Sequence, residues 1–154
     1  MIIAYTDGAS TGNPGPGGYG VVLISPAHNN YRKEISEGFR LTTNNRMELL
    51  AVIVALETLT YPGQDITIYS DSSYVVNTVE KKWLWGWLKK GFQGKKNEDL
   101  WRRFLNIYPK HNVTLKWVKG HAGIPENERC DELATQAARN PDLLIDSGYE
   151  QSKL

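Results

Sequence analysis

The sequence contains a single cysteine, Cys130, among its 154 residues. One cysteine can form neither an internal disulfide nor a cysteine-based zinc site, so a reducing compartment is the expected setting. No apolar run approaches the roughly 18 residues that a membrane span requires, and no basic leader precedes the first carboxylate, Asp7. We therefore expect a soluble, cytoplasmic protein that does not contact a membrane.

The overall composition is not extreme in any direction. Apolar residues make up 40% of the chain and charged residues 23%, with a formal net charge of +1, which is typical of a globular protein. The length is that of one ordinary domain, and no internal repeat, linker or assembly element is visible. We therefore predict one domain over residues 1–154, with a short tail from about residue 141, and a monomer without an obligate protein partner.

Acidic residues are absent from residues 81–96, which we call the basic segment because it contains six lysines. Lysines without acidic partners favour a phosphate-bearing ligand, so this segment predicts contact with a nucleic acid. The segment also contains three tryptophans. Because Trp83 and Trp87 are four residues apart, as core residues on one helix would be, we expect some of its aromatic side chains to pack and others to bind.

Hydrophobic periodicity and turn residues predict an alternation of strands and helices. Strand patterns occupy residues 2–6, 19–25, 31–39, 65–70 and 113–118; helical patterns occupy residues 45–60, 98–108 and 125–139, with short helices and a loop in the basic segment. The second and third strands form a predicted hairpin, whereas helices separate the later strands. The pattern therefore predicts an α/β fold with a sheet that is partly antiparallel and partly parallel.

Four carboxylates occupy positions from which they could converge. Asp7 and Asp71 directly follow predicted strands, and active sites of open α/β sheets gather at the carboxyl ends of strands. Glu48 lies in the first turn of the first predicted helix, on the face that packs inward, and Asp131 borders the buried stripe of the last helix. If both helices cover the same sheet, the four acids can meet.

Each acid also has a purely structural interpretation. Asp7 could begin an Asp-Gly turn, Asp71 could cap a helix, and Asp131 could be an ordinary surface acid. Glu48 could complete a capping box with Asn45. For any one residue alone the structural interpretation is favoured, so the functional hypothesis depends on the combination.

A cluster of carboxylates requires cations or protons. Two carboxylates about 4 Å apart repel each other by about 4 kcal/mol at an effective dielectric constant of about 20. Oxygen ligands suit Mg²⁺ or Mn²⁺, and two such ions can activate water and stabilise the leaving oxygen in phosphodiester cleavage. The cluster therefore favours a metal-dependent nuclease.

Five segments carry a specific set of motifs. They are YTDGASTGNPGPGGYG at residues 5–20, TTNNRMEL at 42–49, SDSSY at 70–74, WVKGHAG at 117–123 and ENERCDEL at 126–133. In type and order they resemble the motifs of bacterial ribonuclease HI, the type 1 ribonuclease H family. The resemblance extends over essentially the whole chain, to DSGY at residues 146–149.

This resemblance implies a ribonuclease H-like fold, with a mixed five-stranded sheet flanked by helices. It implies an endonuclease that hydrolyses the RNA strand of RNA/DNA hybrids and leaves 5′-phosphate and 3′-hydroxyl ends. Asp7, Glu48, Asp71 and Asp131 would bind two Mg²⁺ ions, with Mn²⁺ as an alternative. In this family a histidine in the Gly-His-Ala-Gly loop is thought to move protons or assist product release, which assigns that role to His121.

The same resemblance supplies the expected contacts with the hybrid. Amides and hydroxyls would meet the minor groove, where the 2′-hydroxyl identifies the RNA strand; these residues are Asn13, Thr43, Asn44 and Asn45. Residues 43–45 could equally cap the first helix. The basic segment resembles a protrusion that holds the DNA strand, and its assigned contacts are Trp83, Trp87, Lys89 and Lys90.

Three positions depart from the family's pattern. Ser73, which is also expected to contact the hybrid, stands where glutamine is common, and Ser10 stands where cysteine is frequent. The loop at residues 93–97 is shorter. None of these departures touches the four acids, so they bear on base contacts and hybrid affinity only.

Three other functions fit the residues less well. The segment GPGGYG at residues 15–20 satisfies the pattern of a dinucleotide-binding loop, but strand-like residues follow it where a helix is required. A phosphate loop of the actin-like ATPases would need two domains, which 154 residues do not supply. The remaining alternative is a non-catalytic module that binds RNA/DNA hybrids, and the four intact acids argue against it.

Overall fold

Five strands form one mixed sheet with helices against both faces, and the computed structural model describes residues 1–153. In chain order the elements are β1 (Ile2–Ser10), β2 (Gly15–Ser25), β3 (Tyr31–Thr42), α1 (Asn44–Glu57), β4 (Asp65–Ser70), α2 (Ser73–Glu80), α3 (Trp83–Lys89), α4 (Glu98–Ile107), β5 (Asn112–Trp117), α5 (Pro125–Ala138) and α6 (Ser147–Gln151). The predicted fold class is confirmed. Within residues 1–153, no helix has the length and apolar character needed to cross a membrane.

The strands lie in the order β3-β2-β1-β4-β5. β1, β2 and β3 pair antiparallel and include the predicted hairpin, whereas β4 and β5 extend the sheet by parallel pairing. Parallel neighbours need long crossover connections, and helices supply them here. The central strand β1 therefore pairs antiparallel on one side and parallel on the other.

Asp7 lies inside β1, so the predicted end of this strand at Thr6 is wrong. Residues 15–18, which lie between the first two predicted strands, form the start of β2 and pair with β1 as far as Ser10. Pairing with β4, however, stops at Thr6 and Ser70. On that side of β1, Asp7 and Asp71 each directly follow the last paired residue, which makes them neighbours.

α1 packs against one face of the sheet. Thr43 caps its start, because the Thr43 side-chain oxygen accepts a hydrogen bond from the backbone N–H of Arg46 at 3.2 Å. The helix is buried around most of its circumference, since it lies between the sheet and α4. A helix that is apolar on all sides is stable in such an enclosed position.

α5 covers the opposite face and lies very close to the sheet. Gly18 and Gly20 in β2 and Gly38 in β3, which we call the glycine track, lie directly beneath the helix backbone. A Cβ atom at Gly18 would come within 2.6 Å of the carbonyl oxygen of Ala134, and at the other two it would also collide with helix carbonyl oxygens. The glycine track thus makes room for α5 and positions Asp131.

Residues beyond 140 fold back onto the sheet. The backbone N–H of Leu144 donates to the carbonyl of Gly38 at 2.9 Å, and the Leu144 carbonyl accepts from the N–H of Arg40 at 2.8 Å. Asp146 then caps α6 by accepting a hydrogen bond from the N–H of Tyr149. The sequence pattern does not predict α6, because five residues are too few to show a helical period.

A buried ion-pair cluster ties this C-terminal segment to α1. The guanidinium of Arg46 donates to the Asp146 carboxylate at 2.8 and 2.9 Å and to the Asp99 carboxylate at 2.7 and 2.8 Å. Asp146 also accepts a hydrogen bond from the Thr42 hydroxyl at 2.7 Å. An arginine fork that satisfies two carboxylates is a strong and geometrically specific interaction. It holds the start of α1, from which Glu48 projects.

Candidate active site

Three carboxylates converge where β1 and β4 separate. One oxygen from each of Asp7, Glu48 and Asp71 lies within 4.8 Å of the other two. Asp7 and Asp71 come from neighbouring strands, and Glu48 reaches them from α1. Carboxylates at this spacing repel one another, so the arrangement requires protons or cations among them.

The backbone of Gly8 holds two of these acids. Its N–H lies 2.9 Å from Asp7 Oδ1 and 2.6 Å from Glu48 Oε1, and it donates to both. Any side chain at Gly8 would collide with the backbone of Met47 and Glu48, where α1 presses against β1. The interpretation of Asp7 as the start of an Asp-Gly turn is therefore wrong, because Gly8 belongs to the strand and allows this close approach.

The capping interpretations of Glu48 and Asp71 are also wrong. The N-cap of α1 is Thr43, not Asn45, and Glu48 lies too far along the helix to form a capping box with it. The N-cap of α2 is Ser72, whose hydroxyl accepts a backbone hydrogen bond at 3.2 Å. Neither carboxylate has a capping role, so the local geometry leaves both for the cluster.

The electrostatics of the cluster show how strongly the acids affect one another. Burial, followed by the charges of Asp71 and Asp131, raises the pKa of Asp7 from 3.8 to about 8. Burial, followed by the charges of Asp7 and Asp71, holds the pKa of Glu48 well above its usual value. At neutral pH Asp7 in the metal-free site therefore holds a proton, which a cation must displace.

One oxygen of Asp71 also indicates a ligand from outside the chain. Its Oδ1 atom is buried and has no hydrogen-bond partner among residues 1–153. Buried polar atoms in native proteins almost always have a partner, so this oxygen is available to a ligand from outside the chain.

Asp131 lies beside the three converging acids. It is partly buried on α5, and after burial and Asp71 its charge is a further cause of the raised pKa of Asp7. In the part of the chain that the structure describes, its oxygens do not join the set within 4.8 Å. The structure thus brings three of the four predicted acids together and places the fourth within electrostatic reach.

His121 lies on the loop between β5 and α5. Its φ is +56° and that of Gly123 is +81°, so the loop contains two left-handed residues. Gly120 lies directly against Asp71, because a Cβ atom there would come within 2.8 Å of Asp71 Oδ2. The loop therefore carries the exposed His121 past the edge of the acid cluster.

The residues predicted to meet the minor groove surround the start of α1. Asn13 Oδ1 accepts a hydrogen bond from the backbone N–H of Asn44 at 3.1 Å, which joins the preceding turn to the helix. Asn13, Thr43 and Asn45 line one groove of about 570 Å³. Thr43 caps α1 as well, so the structural interpretation of this residue is confirmed.

The basic segment forms α3 and the loop that leads to α4. Trp87 is half-buried and packs edge-on against Trp101, with ring centres 6.2 Å apart. Trp83 is 46% exposed, and Lys89 and Lys90 are exposed. The tryptophans thus divide into packed and exposed residues, as expected. Among residues 1–153, no lysine of the segment forms an ion pair.

Two features of the site are missed by sequence reasoning. Trp117, the last residue of β5, is 54% exposed, and its indole N–H donates to the backbone carbonyl of Asp71 at 3.1 Å. Gly8 and Gly120 also lie against the acids: a side chain at Gly8 would collide with the backbone of α1, and one at Gly120 would press on the Asp71 carboxylate. The signal that these residues do carry is their place in the motifs at residues 5–20 and 117–123.

Comparison with known proteins identifies close relatives. Residues 1–139 match the family RNase H. A ribonuclease H of Desulforamulus reducens is 56% identical over 150 residues, which cover 94% of this chain and 92% of the relative. A ribonuclease H of Shewanella amazonensis is 54% identical over 155 residues, which cover 97% of this chain and 96% of that protein.

Solved structures agree with the sequence matches. LC9-RNase H1, described as a type 1 RNase H with the type 2 active-site motif, has a TM-score of 0.80 and 31% identity, covering 98% of this chain and 79% of its own. LC11-RNase H1, solved in complex with an RNA/DNA hybrid, has a TM-score of 0.64 and 27% identity, covering 90% of this chain and 97% of its own.

Proposed function

Because this chain belongs to the ribonuclease H family, we propose that its acid cluster is the centre at which it cleaves RNA. The protein is a ribonuclease H, which cuts the RNA of RNA/DNA hybrids, and its family acts with a divalent metal ion. The proposal assigns Asp7, Glu48, Asp71 and Asp131 as metal ligands and His121 as a further catalytic residue. The observation that carries it is the convergence of three acids within 4.8 Å.

Two Mg²⁺ ions suit these residues. Carboxylate oxygens are the ligands that Mg²⁺ prefers, and Mn²⁺ accepts the same set. Asp71 Oδ1 has no partner in the described chain, and the pKa values of Asp7 and Glu48 are raised, so a dication would satisfy the first and stabilise the charged forms of the other two. When bound, the ions supply Lewis-acid stabilisation and an activated water, and hydrolysis then leaves 5′-phosphate and 3′-hydroxyl ends.

The chain's own residues orient the metal ligands and move protons. The N–H of Gly8 fixes one oxygen of Asp7 and one of Glu48, so these two ligands are oriented before substrate arrives. Burial lowers the local dielectric constant and strengthens every interaction at the cluster. His121, on an exposed loop, is assigned to move protons or to assist release of the product.

Recognition of the RNA strand is assigned to the start of α1. Amides and a hydroxyl there can reach 2′-hydroxyls and base edges in the minor groove, through Asn13, Thr43, Asn44 and Asn45. The hydrogen bond from Asn44 to Asn13 supports this assignment, because it gathers residues from two separate segments on one surface.

Contact with the rest of the hybrid is assigned to α2 and the basic segment. Ser73 is exposed at the start of α2, where its hydroxyl can reach a base or phosphate. Trp83, Lys89 and Lys90 are exposed and suit the sugar-phosphate backbone of the DNA strand. Trp87 would act mainly through packing, because its ring lies against that of Trp101 and holds the basic segment in place.

Cleavage of an end-labelled hybrid tests this proposal. With Mg²⁺ the protein should cut the RNA strand and leave 5′-phosphate and 3′-hydroxyl ends, while duplex DNA and single-stranded RNA remain intact. EDTA should stop the reaction, and Mn²⁺ should restore it. Products with 2′,3′-cyclic phosphates would contradict the proposal, because they indicate attack by the 2′-hydroxyl rather than by water.

Neutralising Lys89 and Lys90 should weaken hybrid binding and flatten its salt dependence. Each phosphate contact contributes about 0.9 to the slope of log Kd against log salt, so Lys89→Ala with Lys90→Ala should lower the slope by up to about 2. Anisotropy of a fluorescent hybrid in EDTA, between about 50 and 200 mM salt, measures this slope. The control is Lys33→Ala with Lys110→Ala, two exposed lysines outside the segment. A wild-type slope in the first double variant would refute the assignment.

We further propose that the protein is a monomer that works in a reducing compartment such as the cytoplasm. The single cysteine, Cys130, is buried and offers no disulfide. Light scattering after size-exclusion chromatography should give the mass of one chain, 17.4 kDa.

A further inference from the structure

Asn127, in the first turn of α5, is a buried polar residue with no role in the function proposed above. Its side chain is 3% exposed, and its Oδ1 atom has no hydrogen-bond partner among residues 1–153. A buried amide oxygen without a donor is costly, and native proteins rarely contain one unless a water, ion or ligand supplies the donor. Oδ1 of Asn127 therefore calls for a donor from outside the chain.

The path of α5 leads Asn127 toward the strands that carry the acids. The helix crosses the sheet from β3 to β1, because Ala137 lies against Gly38 in β3 and the thiol of Cys130 donates to the carbonyl of Tyr5 in β1 at 3.1 Å. Asn127 precedes Cys130 by almost one turn, about 5 Å along the helix, which is about one strand spacing. This step leads from β1 toward β4.

The same side of the sheet carries the acids. Tyr5 packs with Cys130 on the α5 side, and Asp7, two residues along the same strand, faces that side too. Asp131 follows Asn127 by four residues and shares its helix face. Asp71 Oδ1, which belongs to one of these acids, is likewise buried without a partner in the described chain. Because Asp71 is assigned to the ion itself, the acceptor that still requires a hydrogen-bond donor is Asn127 Oδ1.

We propose that Asn127 is a positioning residue of the metal site, whose Oδ1 accepts a hydrogen bond from a water in the hydration shell of the bound ion. Mg²⁺ keeps several of its waters in protein sites, and acceptors in the surrounding shell orient them. A neutral amide accepts such a bond without adding another negative charge to acids that already repel one another. This inference rests on the proposed function, because it presupposes an ion at Asp7.

Asn127→Leu, an apolar side chain of similar size, tests the proposal. Mg²⁺ should bind at least about tenfold more weakly than to the wild type, which is the loss that surrounding-shell residues typically cause. The metal-free variant should not lose thermal stability, because an unsatisfied polar group has been removed. Calorimetric titration with MgCl₂ at pH 8 measures the affinity, and the rise in Tm on adding MgCl₂ gives a second readout. Asn127→Asp keeps an acceptor and should restore binding.

Thr6→Val is the matched control. Thr6 is fully buried, and its Oγ1 also has no partner in the described part of the chain. It shares a face of β1 with Ala4 and Gly8, which pack toward α1 and away from α5. This variant removes an unsatisfied group of the same kind, so Mg²⁺ affinity should remain at the wild-type value.

Each outcome decides a separate point. The proposal is overturned if Asn127→Leu binds Mg²⁺ as tightly as Thr6→Val does, or if Asn127→Ala does so where the leucine variant fails to fold. Asp7→Asn separates this inference from the proposed function. If that variant binds Mg²⁺ as well as the wild type does, the assigned metal site is wrong. If it loses the ion while Asn127→Leu keeps it, only the role of Asn127 is wrong.

Discussion

Asp7→Asn is expected to abolish hybrid cleavage while making the metal-free protein more stable. Asp7 lies at the centre of the cluster, where its oxygen meets those of Glu48 and Asp71. Loss of its charge removes a ligand that both the ion and the reaction need. Cleavage should fall by at least about 10³-fold, the scale on which single groups of an integrated active site act.

The gain in stability follows from the raised pKa of Asp7. Folding moves this pKa from 3.8 to about 8, with burial as the largest cause. Between these pH values the folded chain keeps a proton that the unfolded chain has released, so stability falls as the pH rises through this window. Asparagine does not titrate, so at pH 8 the variant should exceed the wild type by a few kcal/mol, given about 1.4 kcal/mol per pKa unit.

Urea unfolding in EDTA at pH 5 and pH 8 measures this effect. The wild type should lose more stability between the two pH values than Asp7→Asn does, and Asp142→Asn, which changes an exposed acid, should follow the wild type. Addition of Mg²⁺ at pH 8 should favour the wild type, because an ion that binds only the folded state stabilises it. If Asp7→Asn and the wild type were equally stable in EDTA at pH 8, the surroundings of Asp7 would not disfavour its charged form.

Arg46→Met should cause the largest loss of stability, about 3–5 kcal/mol, because it leaves a buried carboxylate without its partner. Arg46 is 3% exposed and Asp146 is 8% exposed, so the Asp146 charge that remains is screened little by water. The Thr42 hydroxyl and the Tyr149 N–H remain as donors to Asp146, but neither replaces the charged guanidinium and its two hydrogen bonds. Activity should fall as well, since this cluster holds the start of α1.

The matched comparison is Asp99→Asn, which weakens the other half of the same cluster. The side chain of Asp99 is 46% exposed, so water compensates for much of the lost interaction, and the loss should stay near 1 kcal/mol or below, as for exposed ion pairs. Urea unfolding at pH 7 compares the two variants. If Arg46→Met cost no more than Asp99→Asn, the burial of the Arg46–Asp146 pair would have no energetic consequence.

Sequence patterns predicted those elements whose signal is local. The hairpin between β2 and β3 follows from turn residues between two strand patterns, and α1 and α5 follow from apolar residues at helical spacing. The positions of Asp7 and Asp71 after strand patterns also indicated a shared edge of the sheet. The register supports this, because Thr6 pairs with Ser70. The roles of the acids came from the family resemblance.

Features that depend on distant contacts could not be predicted in this way. Residues 15–18 are rich in glycine and proline, which is the local signal of a turn, yet they belong to β2, and α5 packs against Gly18. Arg46 and Asp146 are 100 residues apart, and no local pattern pairs them. Asn127 looks like an ordinary polar residue of a helix start until the sheet beneath it is known.

The glycine track also determines how the fourth acid can move. A helix that rests on side chains can slide or tilt slightly as those side chains change rotamer, but α5 meets β2 and β3 backbone against backbone at Gly18, Gly20 and Gly38. Close-packed backbone has no comparable freedom. Asp131 therefore lies on a helix that has little freedom to shift, and its distance from the sheet acids is set by three residues that have no side chain at all.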